Sequence, residues 1–235
     1  MLHQAVHWME IASTVTDAAL VFRVLTLRLY RVYLFITLAC VLTVFYDCVN
    51  LWLRSDSALS LQVFLYSRFL YVVVYPLVAW DVFEEVKGEL GNLRRLATIR
   101  LLSALFLIAI LALVADASAD ESDVGGSAAT TATAVICWVG GCAASLAFLI
   151  TMHRVLRSKP SIRLNNTQVW MNFFELILIG ELLVCFVMLT DPQMSEMSRS
   201  IINIGFMLFG MVITCWCVWK LKRPSADLTS ARQRA

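Results

Sequence analysis

The stretch Thr151–Gln168, TMHRVLRSKPSIRLNNTQ, places Arg154, Arg157, Lys159 and Arg163 between two long apolar runs. The loop before it, Asp116–Asp123 (DASADESD), holds Asp116, Asp120, Glu121 and Asp123 and no basic residue. Lys and Arg are retained on the cytoplasmic side of a bilayer, whereas acidic residues count for little. A basic loop one span away from a basic-free loop is therefore the mark of a chain threaded through a membrane. The same alternation extends in both directions from this point.

Six clear spans are read at Val32–Leu53, Leu59–Trp80, Ala97–Ala115, Ala129–Met152, Val169–Leu189 and Ile201–Trp219. Each is close to the roughly 20 apolar residues that cross a hydrocarbon core of about 30 Å. A weaker run, Trp8–Leu27, carries Glu10, Asp17 and Arg23 and either crosses or lies along the inner surface. Counting it as crossing, with the N-terminus outside, places 15 of the 19 Lys and Arg residues in inside segments. Arg54 and Arg199 fall outside, and Arg23 and Arg68 fall within spans. The reading is an all-α polytopic bundle of seven transmembrane helices, N-terminus outside and C-terminus cytoplasmic. Residues 1–223 form the membrane domain and residues 224–235 a disordered cytoplasmic tail. The expected location is the cell (inner) membrane.

Composition agrees. Of 235 residues 60% are hydrophobic and only 15% charged, against about 25% charged in an ordinary soluble domain. So few polar side chains cannot cover a water-facing surface of this size. Met1–Glu10 has no basic segment and no small-residue cleavage site follows it, so no signal peptide is expected. The seven cysteines all lie in apolar runs, which argues for packing roles and against a disulfide framework.

Charge at membrane depth is costly and faces the bundle interior. The candidates form an expected intramembrane polar cluster: Asp17, Asp47, Arg68, Tyr71, Tyr75, Glu175 and Glu181. On the first span His3, His7, Glu10, Thr14 and Asp17 recur every three or four residues, which aligns them on one helix face with Ser13 beside them. His3, His7 and Glu10 are a candidate zinc site; no other cofactor is expected. On the third span Phe64, Arg68, Tyr71 and Tyr75 share a face, with Pro76 expected to kink the helix. Asn172 and Glu175 share a face of the sixth span, and Glu181 lies about 120° away, so the two carboxylates need different partners. Ala129, Thr133, Cys137, Gly141 and Ser145 form a small-residue face suited to close helix approach. Asp81–Arg100 reads as a helical extension of the third span into the cytosol. Arg154, Arg157, Lys159 and Arg163 are expected to meet anionic lipid headgroups. Asn165-Asn166-Thr167 matches a glycosylation acceptor on the wrong face and is set aside.

Several chemistries are excluded by what is missing. A retinal protein needs a lysine deep in its last span, and Lys220 sits at the end of this one. Haem ligation by paired histidines and the multi-histidine membrane hydrolases both need histidines in late spans. Intramembrane protease patterns are absent, and Pro192-Gln193 lies in a loop, unlike the dipeptide of PQ-loop transporters. The arrangement of spans and the Arg28-Leu29-Tyr30-Arg31 linker resemble bacterial seven-helix inner-membrane proteins of uncharacterised role, a resemblance that implies the fold and carries no functional residue. The leading functional expectation is a non-enzymatic sensor, receptor-like or interaction subunit with a polar cluster around Arg68. The alternatives are a small transporter or ion or proton channel using Asp17, Glu175, Glu181 and Arg68, and a membrane-embedded metal-dependent enzyme. The partners expected are the bilayer, its headgroups and a membrane or cytosolic protein, not nucleic acid.

Overall fold

The structure is a computed structural model that describes residues 2–53, 57–87, 98–99, 126–157, 165–190 and 195–223. Among these residues there is no strand. Six long helices are seen among the described residues: α1 (Leu2–Thr26), α2 (Leu34–Leu53), α3 (Ser57–Val86), α4 (Gly126–Arg157), α5 (Asn165–Thr190) and α6 (Glu196–Lys220). Most run a turn or two beyond the apolar runs, because the backbone ladder does not stop where hydropathy does. The span expected at Ala97–Ala115 and the tail 224–235 lie outside the described residues. Segments within α2, α4, α5 and α6 are long and apolar enough to cross a membrane. The chain is in this sense a helical membrane protein.

The helices form a ring. Each packs on the next in chain order, α6 closes back onto α1, and α3 touches α5 across the middle. Directions follow from side-chain contacts. Thr214 and Leu221 of α6 and its C-cap meet Asp17 and Arg23 of α1, so α1 and α6 are parallel. Phe83 meets Phe148, and Val72 lies beside Gly141, so α3 and α4 are parallel as well. One end of the ring then collects Arg23, Arg28, Arg31, Lys87, Arg154, Arg157, Lys220 and Lys222. We call it the basic end.

The turn between α1 and α2 is set by one residue. Arg28 has φ 56°, the left-handed conformation, and a 3-10 turn over Leu29–Arg31 follows. Arg28 N–H bonds the Leu25 carbonyl at 3.0 Å, and Leu29 is driven fully into the core. A Cβ in this conformation is strained, and glycine is the usual occupant after a helix. Arg28→Gly is expected to raise stability by about 0.5–1 kcal/mol, measured as a shift in the unfolding midpoint in detergent.

Polar side chains in the apolar helices are satisfied close to home. Thr14, Thr37, Thr43 and Thr151 hydroxyls donate to the carbonyl four residues back, which removes the cost of an unpaired hydroxyl in hydrocarbon. Pro76 lies inside α3. A proline removes the N–H that would bond the carbonyl four residues back, here Val72. Gly141 of α4 comes close to that same carbonyl. Cys137, Gly141 and Ser145 of the small-residue face are buried; the side chains of Ala129 and Thr133 lie outside the described set.

The basic end is the tightly packed half. Trp170 is fully buried among Tyr33, Phe173 and Phe174, with ring centroids 5.9–6.2 Å apart. Asp81 is not solvated as a cytosolic extension would be; it is 1% exposed, and its Oδ2 accepts from Ile36 N at 2.9 Å. Asn166 clamps the chain after α6, donating to the Lys222 carbonyl at 2.7 Å and accepting from Lys222 N at 3.0 Å. The outer girth is apolar: Val15, Phe22, Phe45, Leu183, Phe186 and Val212 are all exposed. Exposed Trp8 and Trp52 mark one rim, and Tyr30 and Trp219 mark the basic rim. The Lys220 ammonium lies 4.3 Å from the Trp219 ring. Aromatic rims flanking an apolar girth are the pattern of a bilayer-facing surface.

Candidate binding cavity

The other half of the ring is hollow. A cavity of about 810 Å³ lies between α1, α2, α3, α5 and α6. Its base is near mid-bundle, at Leu20, Cys40, Tyr75 and Phe174, and it reaches Glu10, Asn50 and Asn203 toward the end opposite the basic one. α4 stays outside, because α3 and α5 meet in front of it.

Each wall is a polar stripe on an apolar helix. α1 presents Glu10, Ser13, Thr14 and Asp17, the face expected from their spacing. α2 presents Cys40, Thr43, Asp47 and Asn50, spaced three, four and three. α6 presents Asn203, Met207, Gly210 and Thr214, spaced four, three and four. α5 adds Glu181, and α3 adds Tyr71 and Tyr75. Sequence reading missed Thr43, Asn50, Asn203 and Thr214. The same three-and-four spacing that exposed the α1 stripe would have found the α2 stripe.

At the centre Asp17 of α1 and Asp47 of α2 line the cavity from adjacent helices. Carboxylates brought together at membrane depth are costly unless a proton or a cation meets them. Thr214 Oγ1 donates to Asp17 Oδ1 at 3.2 Å. Glu10 lines the same cavity, on the face of α1 that carries Asp17. On the α3 wall Tyr71 and Tyr75 stack with centroids 5.4 Å apart, and the Tyr71 hydroxyl meets Thr43 Oγ1 at 3.0 Å.

The other expected site residues fall elsewhere. The backbone of Arg68 lies in α3; its side chain, like those of His3 and Phe64, lies outside the described set. His7 Nδ1 is 3.8 Å from Glu10 Oε2. Glu175 does not line the cavity. It pairs across α4 and α5 with His153, Nδ1 to Oε1 at 3.0 Å, and Arg157 Nε donates to His153 Nε2 at 2.9 Å. An imidazole that accepts at Nε2 carries its proton on Nδ1, so His153 donates to Glu175. Arg154 and Arg157 are exposed at the end of α4, while Lys159 and Arg163 lie outside the described residues.

No protein-family model matches the chain, and neither curated proteins nor solved structures gave a match. The functional reading therefore rests on the cavity itself.

Proposed function

We propose that the chain is a seven-span, receptor-like membrane protein that binds a small ligand in this cavity, with the basic end in the cytoplasm. The observation that carries the reading is a cavity of about 810 Å³ in one half of the ring over a packed base in the other. That volume lies within the usual range for small-molecule sites, roughly 300–1,000 Å³. A chance packing defect would be small and apolar; this space is lined by aligned polar stripes from three helices. The parallel run of α3 and α4 supports a further crossing between them, since a chain that leaves α3 at one end has to return before it enters α4 at the other. The collected Lys and Arg support the orientation.

The second reading is a carrier. The Asp17–Asp47 pair near mid-bundle favours it, because paired acids at membrane depth are the usual parts of proton and ion pathways. The packed base at Tyr33, Ile36, Val78 and Trp170 favours the receptor-like reading, since a carrier has to open there.

Cysteine accessibility tests the proposal. In a background with Cys40, Cys48 and Cys215 changed to Ala, Thr14→Cys and Asn50→Cys are expected to react with a membrane-impermeant thiol reagent added outside only. Labelling at Val78→Cys from the inner side would favour the carrier. Absence of labelling at both cavity positions from either side would overturn the cavity as a ligand site.

A further inference from the structure

Granting the cavity as a ligand site, we infer that Phe206, seated in a notch at Gly180, sets the size of ligand that passes from the outer rim to the base. Gly180 of α5 and Phe206 of α6 face each other across the contact of these helices. A Cβ at position 180 would lie 2.8 Å from Phe206 Cε2 and 3.1 Å from Phe209 Cε1. Carbon atoms in contact sit about 3.5–4.0 Å apart, so no larger residue fits unless a ring moves.

Glycine is a poor helix former, and membrane helices keep it where a neighbour comes close. The kind of neighbour separates two cases here. At Gly141 of α4 a Cβ would meet backbone, Val72 Cα at 3.5 Å, and helix packing accounts for that glycine. At Gly180 the near atoms belong to two side-chain rings, so the missing Cβ leaves a seat for rings.

The two rings face different spaces. Phe206 and Phe209 are three residues apart on α6 and straddle Gly180. Phe209 is 39% exposed on the apolar girth, whereas Phe206 lines the cavity. A ring turned out of the notch has Phe209 on one flank, and the free space beside it is the cavity. Filling the notch therefore narrows the cavity at this level.

The level is a passage. Along the α6 stripe Asn203 stands at the rim and Thr214 meets Asp17 deeper in. Phe206 lies between, about one turn inward of Asn203 and one turn outward of Gly210. A ligand bound for Tyr75 and Phe174 at the base has to pass it. Gly180 is a positioning residue that acts through Phe206.

The test measures thiol modification of the full-length chain in lipid nanodiscs, in the background with Cys40, Cys48 and Cys215 changed to Ala. Nothing lies within 4 Å of where a Gly210 Cβ would be, so Gly210→Cys places a thiol below Phe206 without displacing a neighbour. Asn203→Cys places one above it. Two methanethiosulfonates of equal charge and different bulk are the probes, 2-(trimethylammonium)ethyl and 3-(triethylammonium)propyl. Both are expected to modify Gly210→Cys. Adding Gly180→Ala is expected to slow the bulkier reagent there by about tenfold or more relative to the smaller one, with Asn203→Cys unaffected. Adding Phe206→Leu to Gly180→Ala is expected to restore the rate. An unchanged ratio of the two rates overturns the inference, as does slowing that Phe206→Leu leaves in place or that appears equally at Asn203→Cys. An unreactive Gly210→Cys, with Thr14→Cys and Asn50→Cys still labelled, rejects the passage and keeps the cavity. The same result with those two cysteines unlabelled rejects both.

Discussion

Trp170→Ala is expected to lower the unfolding free energy by about 3–5 kcal/mol, the cost of removing a large aromatic from a filled core. Trp170 is fully buried and touches the rings of Tyr33, Phe173 and Phe174. It packs the turn before α2 against α5, where the cavity ends. Inside a bilayer the gain from burying apolar surface is small, since lipid is itself apolar, and helix association depends on packing contacts. An empty space at Trp170 forfeits those contacts directly. Trp170→Phe keeps much of the volume and is expected to cost less than about 2 kcal/mol. Reversible unfolding in mixed detergent micelles measures both. A Trp170→Ala loss below about 1 kcal/mol would mean that the base of the ring is not packed as described.

Asp81→Ala is expected to cost about 2–3 kcal/mol, by leaving the start of α2 with an unpaired buried donor. The first four N–H groups of a helix have no partner within it. The residues before α2, Arg31-Val32-Tyr33, offer no Ser, Thr, Asp or Asn to cap it. α3 supplies the cap instead: Asp81 Oδ2 accepts from Ile36 N at the positive end of the α2 dipole. Asp81→Asn keeps an acceptor at that position and is expected to lose less than half as much. Equal losses in the two variants would show that the carboxylate holds the fold by some other contact. Hydrogen exchange at the Ile36 amide offers a local check, with faster exchange expected in the Ala variant alone.

These two residues mark where sequence reading stops. Trp170 opens an apolar run and reads as one more membrane residue; nothing local says that it faces Tyr33, in the turn before α2. Asp81 follows a span and reads as a solvated charge, because its partner lies 45 residues away. What the sequence conveys well is local and periodic. Six of the apolar runs located the described helices, and three-and-four spacing aligned Glu10, Thr14 and Asp17 on the wall where the structure places them. The separation of Glu175 from Glu181 on α5 was also legible, as an angle of about 120°. Their surroundings were not, since these depend on helix neighbours. Glu175 meets His153 because α4 packs on α5, and Glu181 reaches the cavity because α3 and α6 flank it. The ring order comes from which faces are complementary in three dimensions, and no single helix encodes it.

The most direct measurement is collision accessibility of nitroxide labels in a reconstituted bilayer. Labels at Phe45, Leu183 and Val212, exposed apolar positions on three helices, are expected to collide with dissolved oxygen far more often than with a water-soluble nickel chelate. A label at Asn50, on the cavity wall, is expected to show the reverse preference. Free access of the nickel chelate to Phe45, Leu183 and Val212 would mean that water, not lipid, surrounds the ring, and would contradict the account.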